Sequence, residues 1–364
     1  MKRILPPLLT LLLAACATRT APVRQPDPPA TPAPAVPAAT AVVPETYVAP
    51  GETGDELDSL ATWVTADGST WLIATAKRSH RLLVLDADSG ELLRSFGGPE
   101  LFNRPNGIAV HGDLLLVVER DNHRVQAFRL PDFGPLAVFG QDELRSPYGV
   151  WVYESAPGVL TAYVTDSFME GEHFDVVPPF EQLDRRVHRY RLHVGRDGRL
   201  AAHPLGSFGE TSEADALRMV ESIAGDPALD RLLIADEDKR HLGTLHEYVL
   251  EGLFTGRKLP PGTFDGEPEG IALWACDAER GYWVVSDQLH PLTVFRLFDR
   301  HTLEPRGAFT GNVTAGTDGI ALHAASTARF PHGALFAVHD DQAVSAFDLR
   351  QVAQALDLDP ACLR

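Results

Sequence analysis

Sulfur is scarce in this chain: 364 residues hold three cysteines and three methionines. Neither the count nor the spacing of the cysteines fits a zinc site. Positive charge is also short, with 32 Lys and Arg against 50 Asp and Glu, a formal net charge of -18. That balance argues against a basic surface for nucleic acid and repels anions unless cations intervene. Long amphipathic helical patterns are missing, apart from a turn near residues 352–356. There is no G-x-S-x-G, no Walker motif and no H-E-x-x-H. A nucleophilic hydrolase, a P-loop enzyme and a zincin are therefore disfavoured.

What is present begins with a targeting pattern. Lys2-Arg3 precedes a short apolar run at residues 8–15, and Leu13-Ala14-Ala15-Cys16 resembles a bacterial lipobox. Residues 1–16 are expected to be a lipoprotein signal peptide, with Cys16 lipidated. By resemblance to Gram-negative lipoproteins, Ala17 after the cysteine implies the outer membrane, with the domain in the periplasm or at the cell surface. Residues 17–40, rich in Pro, Ala and Thr, are expected to be a disordered tether. Two cysteines remain. Cys276 and Cys362 fit a periplasmic disulfide and equally fit two separate thiols.

From residue 41 to 356 the sequence reads as short strands and turns, followed by a tail at 357–364. The stretch 219–238, MVESIAGDPALDRLLIADED, gives the pattern: a carboxylate, small residues, an apolar strand, a turn, and a second apolar strand ending in acid. Related pairs occur at Asn106-Gly107-Ile108, Tyr148-Gly149-Val150, Glu269-Gly270-Ile271 and Asp318-Gly319-Ile320. Six such units predict an all-β fold, a six-bladed β-propeller. An insertion at 168–183 interrupts the third unit. The fourth strand of the fourth unit is weakly signalled near 253–258. The sixth unit is one strand short, and residues 41–48 are expected to supply that strand and close the ring. The five tryptophans, at 63, 71, 151, 274 and 283, are expected to pack between blades.

In a propeller the starts of the first strands and the ends of the second strands meet at one mouth. The starts are Asp58, Asn106, Tyr148, Glu221, Glu269 and Asp318. The ends are Lys77-Arg78, Glu119-Arg120, Asp166, Asp236-Glu237, Asp287 and Asp340. So many gathered carboxylates repel unless neutralised. Calcium, with six to eight oxygen ligands in flexible geometry, suits them. The expected ligands are Asp58, Glu221, Asp236, Glu237, Glu269, Asp318 and Asp340.

Five motifs in this order resemble those of the bacterial β-propeller phytases, calcium-dependent phosphatases of myo-inositol hexakisphosphate. They are Asp55-Glu56-Leu57-Asp58-Ser59-Leu60-Ala61-Thr62-Trp63; Val220-Glu221 with Leu233-Ile234-Ala235-Asp236-Glu237-Asp238; Glu269-Gly270; Thr317-Asp318-Gly319-Ile320; and Phe330-Pro331-His332-Gly333 with Leu335-Phe336-Ala337-Val338-His339-Asp340. The resemblance implies a monomeric phosphomonoesterase that hydrolyses phytate or a related phosphate ester by metal-activated water. Glu221, Asp58 and Asp318 would be catalytic, and Lys77, Arg78, Arg120 and Tyr148 would grip phosphate. The chain departs from the family at Ser59-Leu60, at Arg104-Pro105-Asn106-Gly107-Ile108-Ala109, at His339, and at Asp166-Ser167, where the family has a phosphate-contacting Gly-Lys. A second resemblance competes. Pro105 to Val110 with Asp121-Asn122-His123-Arg124-Val125-Gln126-Ala127-Phe128 is similar to an NHL repeat. That points to the alternative of a non-catalytic propeller that binds a ligand or protein partner at the outer membrane.

Overall fold

The computed structural model describes residues 40–195 and 198–363. The expected leader with Cys16 lies outside the described residues, as does the expected tether except Thr40. Six sheets, five of four strands and one of five, form the blades of a β-propeller. The first blade runs Leu57–Val64, Thr70–Ala76, Arg81–Asp86 and Leu92–Gly97; the second Pro105–His111, Leu114–Glu119, Arg124–Arg129 and Gly134–Phe139. The third comprises Pro147–Ala156, Val159–Asp166, Val187–Val194 and Leu200–Phe208, and the fourth Val220–Asp226, Arg231–Asp236, Thr244–Tyr248 and Phe254–Lys258. The fifth holds Glu267–Ala275, Gly281–Gln288, Val294–Asp299 and Pro305–Thr310. The sixth takes Ile320–His323, Ala334–His339 and Ala343–Asp348 from its own stretch of chain.

The sixth blade is completed from the start of the domain. Tyr47–Pro50 pairs antiparallel with Ala343–Asp348 as the outermost strand. The apolar run expected to close the ring divides its work, because its first two residues, Ala41–Val42, add a parallel fifth strand to the fifth blade. The core lies between blades, where side chains from adjacent sheets interleave: Leu72, Ala74, Leu83 and Leu85 of blade one meet Phe336, Val338 and Val344 of blade six. All five tryptophans sit on strands, and Trp274 and Trp283 are fully buried. A short helix, Leu349–Ala355, follows, and Leu358 and Cys362 pack into the same cluster as blade five. Cys276 and Cys362 form a disulfide that pins this segment.

The innermost strands pack backbone against backbone, which explains the recurring glycine. A Cβ on Gly149 would fall 2.2 Å from the Glu221 carbonyl, and one on Gly319 would fall 2.4 Å from that of Asp58. Threonines bind the strands across the blade boundaries. Thr165 accepts from the Gly149 amide and donates to the Glu221 carbonyl at 2.7 Å, and Thr75 links the Ser59 amide to the Asn106 carbonyl in the same way. The residue before each glycine or serine is thereby fixed at the mouth of the channel.

Candidate functional site: an acidic channel mouth beside a cationic cleft

Two rings of side chains meet at the mouth. The first is Asp58, Asn106, Tyr148, Glu221, Glu269 and Asp318, one per blade, each just before the glycine or serine of its innermost strand. Asp58, Tyr148, Glu221, Glu269 and Asp318 line one small cavity of about 20 Å³. The second ring comes from the tips of the second strands: Lys77, Arg120, Ser167, Glu237 and Asp340, each just past its strand, and Gln288, the last residue of its own. Five of these join the first ring or the cleft beside it. Lys77 Nζ lies 2.8 Å from Asp318 and 3.1 Å from Asp58. Gln288 donates to Asp318, Arg120 donates to the Tyr148 hydroxyl at 3.2 Å, and Ser167 lines the cleft. Glu237 joins Glu221 and Glu269, with carboxylate oxygens of the three within 4.8 Å of one another.

Three residues expected in the site stand elsewhere. Asp236 turns to the opposite face from Glu237 and accepts the amides of Arg218, Met219 and Asp238. It shares this role with the other strand-end acids: Asp166 holds the amides of Arg145 and Ser146, and Asp287 those of Asp265 and Gly266. These carboxylates brace the loop that feeds each inner strand. Asp340, in a left-handed conformation (φ 47°), pairs with His290 at 2.8 Å, and its neighbour Asp341 is the one that approaches Lys77, at 3.6 Å. Arg78 is two-thirds exposed and pairs with Glu56 at the rim.

The electrostatics of the mouth divide it in two. On one side Lys77 neutralises Asp58 and Asp318. Burial opposes the lysine's charge, but the two carboxylates override it and hold the ammonium protonated. Asp318 is still pushed up to about 7 by burial and by Asp58. On the other side no lysine or arginine among the described residues pairs with any of the three glutamates. Burial first, then mutual repulsion with the neighbouring acids, raises Glu221, Glu237 and Glu269 well above the usual carboxylate range. Glu237, 6% exposed, carries a buried Oε1 without a hydrogen-bond partner. A buried, unpartnered carboxylate oxygen beside two more carboxylates suits a hard divalent cation, whose binding both neutralises and desolvates such groups.

Glu221 also borders a larger cleft of about 690 Å³. Arg120, Arg145, His123, His173 and Tyr148 contribute its polar lining, and Phe168, Met169, Phe174 and Met219 its apolar lining. Several of these belong to the insertion in blade three, where Glu170 and Val176 form an isolated bridge. Arg145 and the insertion residues were not among those singled out from sequence. The signal for them was the interruption itself, since a long loop from a second-strand tip must pass over the mouth.

Residues 102–128 match the NHL repeat. No curated protein matches the chain in sequence. Among solved structures, the hydrazine synthase of Kuenenia stuttgartiensis is similar with a TM-score of 0.50 and 12% identity, over 85% of this chain and 81% of that one. A streptogramin B lyase has a TM-score of 0.47 and 12% identity, over 82% of this chain and 97% of its own. The NHL repeat and the first of these structures support the propeller fold and carry no activity over to this chain; neither solved structure is a phytase.

Proposed function

We propose that this propeller is a calcium-dependent phosphomonoesterase related in mechanism to the β-propeller phytases. The observation that carries the reading is the trio Glu221, Glu237 and Glu269, with its buried unpartnered oxygen, opening onto a cleft lined by arginines. These three carboxylates would hold the cation. Bound there, calcium supplies the positive charge that makes an acidic mouth hospitable to a phosphoryl group. The chain supplies the remainder. Arg120 and Tyr148, already hydrogen-bonded to each other, donate to phosphoryl oxygens and stabilise the charge that develops on them. Glu221, shared by trio and cleft, orients the attacking water and takes its proton. The water oxygen bonds to phosphorus, the ester P–O bond breaks, and the leaving alkoxide takes a proton from solvent as the alcohol departs. Asp58 and Asp318, bridged by Lys77, fix the far wall.

The NHL match and the engagement of Lys77 in three ion pairs favour the second reading, a cation-loaded propeller that binds an anionic ligand without turning it over. Phosphate release from an aryl phosphate, in calcium and in chelator, separates the two. The enzyme reading expects calcium-dependent release that falls at least a hundredfold in Glu221→Ala. Release no greater than in chelator, from protein that still binds calcium, leaves the binding propeller.

A further inference from the structure

The cleft has the wrong composition for a polyanion. Arg120 is already paired with Asp121 at 2.7 Å. Arg145 forms no ion pair with a carboxylate among the described residues, and its guanidinium lies 3.9 Å from the centre of the Phe168 ring. Two guanidinium groups match one phosphate, not six. Beside its polar residues the wall carries an apolar patch of Phe168, Met169, Phe174 and Met219, and that patch is held ready. Arg186, fully buried, also lies against Phe168, 4.6 Å from the ring centre, and donates to the carbonyls of Asp166, Phe168, Leu217 and Arg218. Phe174 is 75% exposed at the tip of the insertion, in a left-handed conformation (φ 53°) that a bulky residue adopts at a cost. An exposed phenyl ring held over a cleft beside Met169 and Met219 is a surface for a flat apolar group.

We propose that the ligand is a monoester with one phosphate and a flat, apolar organic group. The phosphate sits between Arg120 and Arg145 at the Glu221 end, and the ring sits against Phe174, Met169 and Met219. This rests on the phosphomonoesterase reading of the same site, and phosphonates test it separately, since their P–C bond is not hydrolysed. Calorimetry of the full chain in calcium would compare 1-naphthylmethylphosphonate with 2-hydroxyethylphosphonate. The expected result is at least tenfold tighter binding of the naphthyl compound. In Phe174→Ala that ratio drops below threefold, and in Arg145→Gln both affinities fall at least fivefold. Phe174 is mostly solvent-exposed, so its replacement leaves the fold intact. Equal affinities, a ratio unchanged by Phe174→Ala, or binding of neither compound would overturn the proposal. Selective naphthyl binding without phosphate release from 1-naphthyl phosphate would uphold this ligand class and defeat the hydrolase reading.

Discussion

Single residues at the mouth and in the blades carry charges and protons whose cost the fold has to balance. His246 is a clear case away from the site. Burial, then the Lys258 ammonium, pushes it down to about 4, and its Nδ1 has no partner. The folded domain thus binds this proton less readily than the unfolded chain, whose histidine titrates near 6.5. The contribution of neutral His246 to stability is complete above about pH 6.5 and is lost as the pH falls toward 4, on the order of 3 kcal/mol in all. Thermal melts at pH 7.5 and 4.5 check this: the acid-induced fall in melting temperature is expected to be larger in the wild type than in His246→Gln. An equal fall in both would show that His246 bears none of the acid sensitivity.

At the scale of the strand, the first ring was legible from sequence and the second only in part. The pattern of polar residue, glycine or serine, then apolar strand marks each inner strand, because adjacent backbones approach too closely for a larger residue there. The tips of the second strands are harder to read. Asp236 and Glu237 are both acidic, and alternation sends them to opposite faces. Which one faces the channel depends on an irregular register: pairing slips between Val220 and Ile223, and likewise at Pro147/Val150 and Pro268/Ile271. These bulges place two inner-strand residues opposite one and reverse the count. Composition does not reveal them. The assignment has a measurable consequence. Asp236→Ala strands three amides and is expected to cost about 2–4 kcal/mol, by the same amount in calcium and in chelator. Asp340→Ala, which breaks a half-exposed pair with His290, is expected to cost less than about 0.5 kcal/mol. Chemical denaturation of the two variants checks the order, and a reversed order would contradict the placement.

For the whole molecule, the ring is closed by chain from both ends. Short strands with regular turns announced the six blades, and the missing strand of the sixth announced that something from the start must fill it. The disulfide from Cys276 to Cys362 was left open by sequence, because 86 residues of separation carry no geometric information about pairing. Closure leads to a further prediction. Deleting residues 40–50 removes Tyr47–Pro50, exposes the edge of Ala343–Asp348 and uncovers Phe330 and its neighbours. The truncated chain is expected to lose its cooperative melt or to aggregate through the open edge. A melt like that of the intact domain would mean that closure does not depend on this strand.

The mouth that this closed ring assembles carries the account, and calcium calorimetry on the full chain tests it most directly. A cation that binds only the folded domain stabilises it by about 2.7 kcal/mol at a hundredfold excess over its dissociation constant. Saturable calcium binding is expected in the wild type. In Glu237→Gln, which removes one of the three mutually repelling carboxylates, affinity should fall at least tenfold while the calcium-free domain becomes no less stable. Absence of saturable calcium binding in the wild type, or unchanged affinity in Glu237→Gln, would contradict the assignment of Glu221, Glu237 and Glu269 as a cation site.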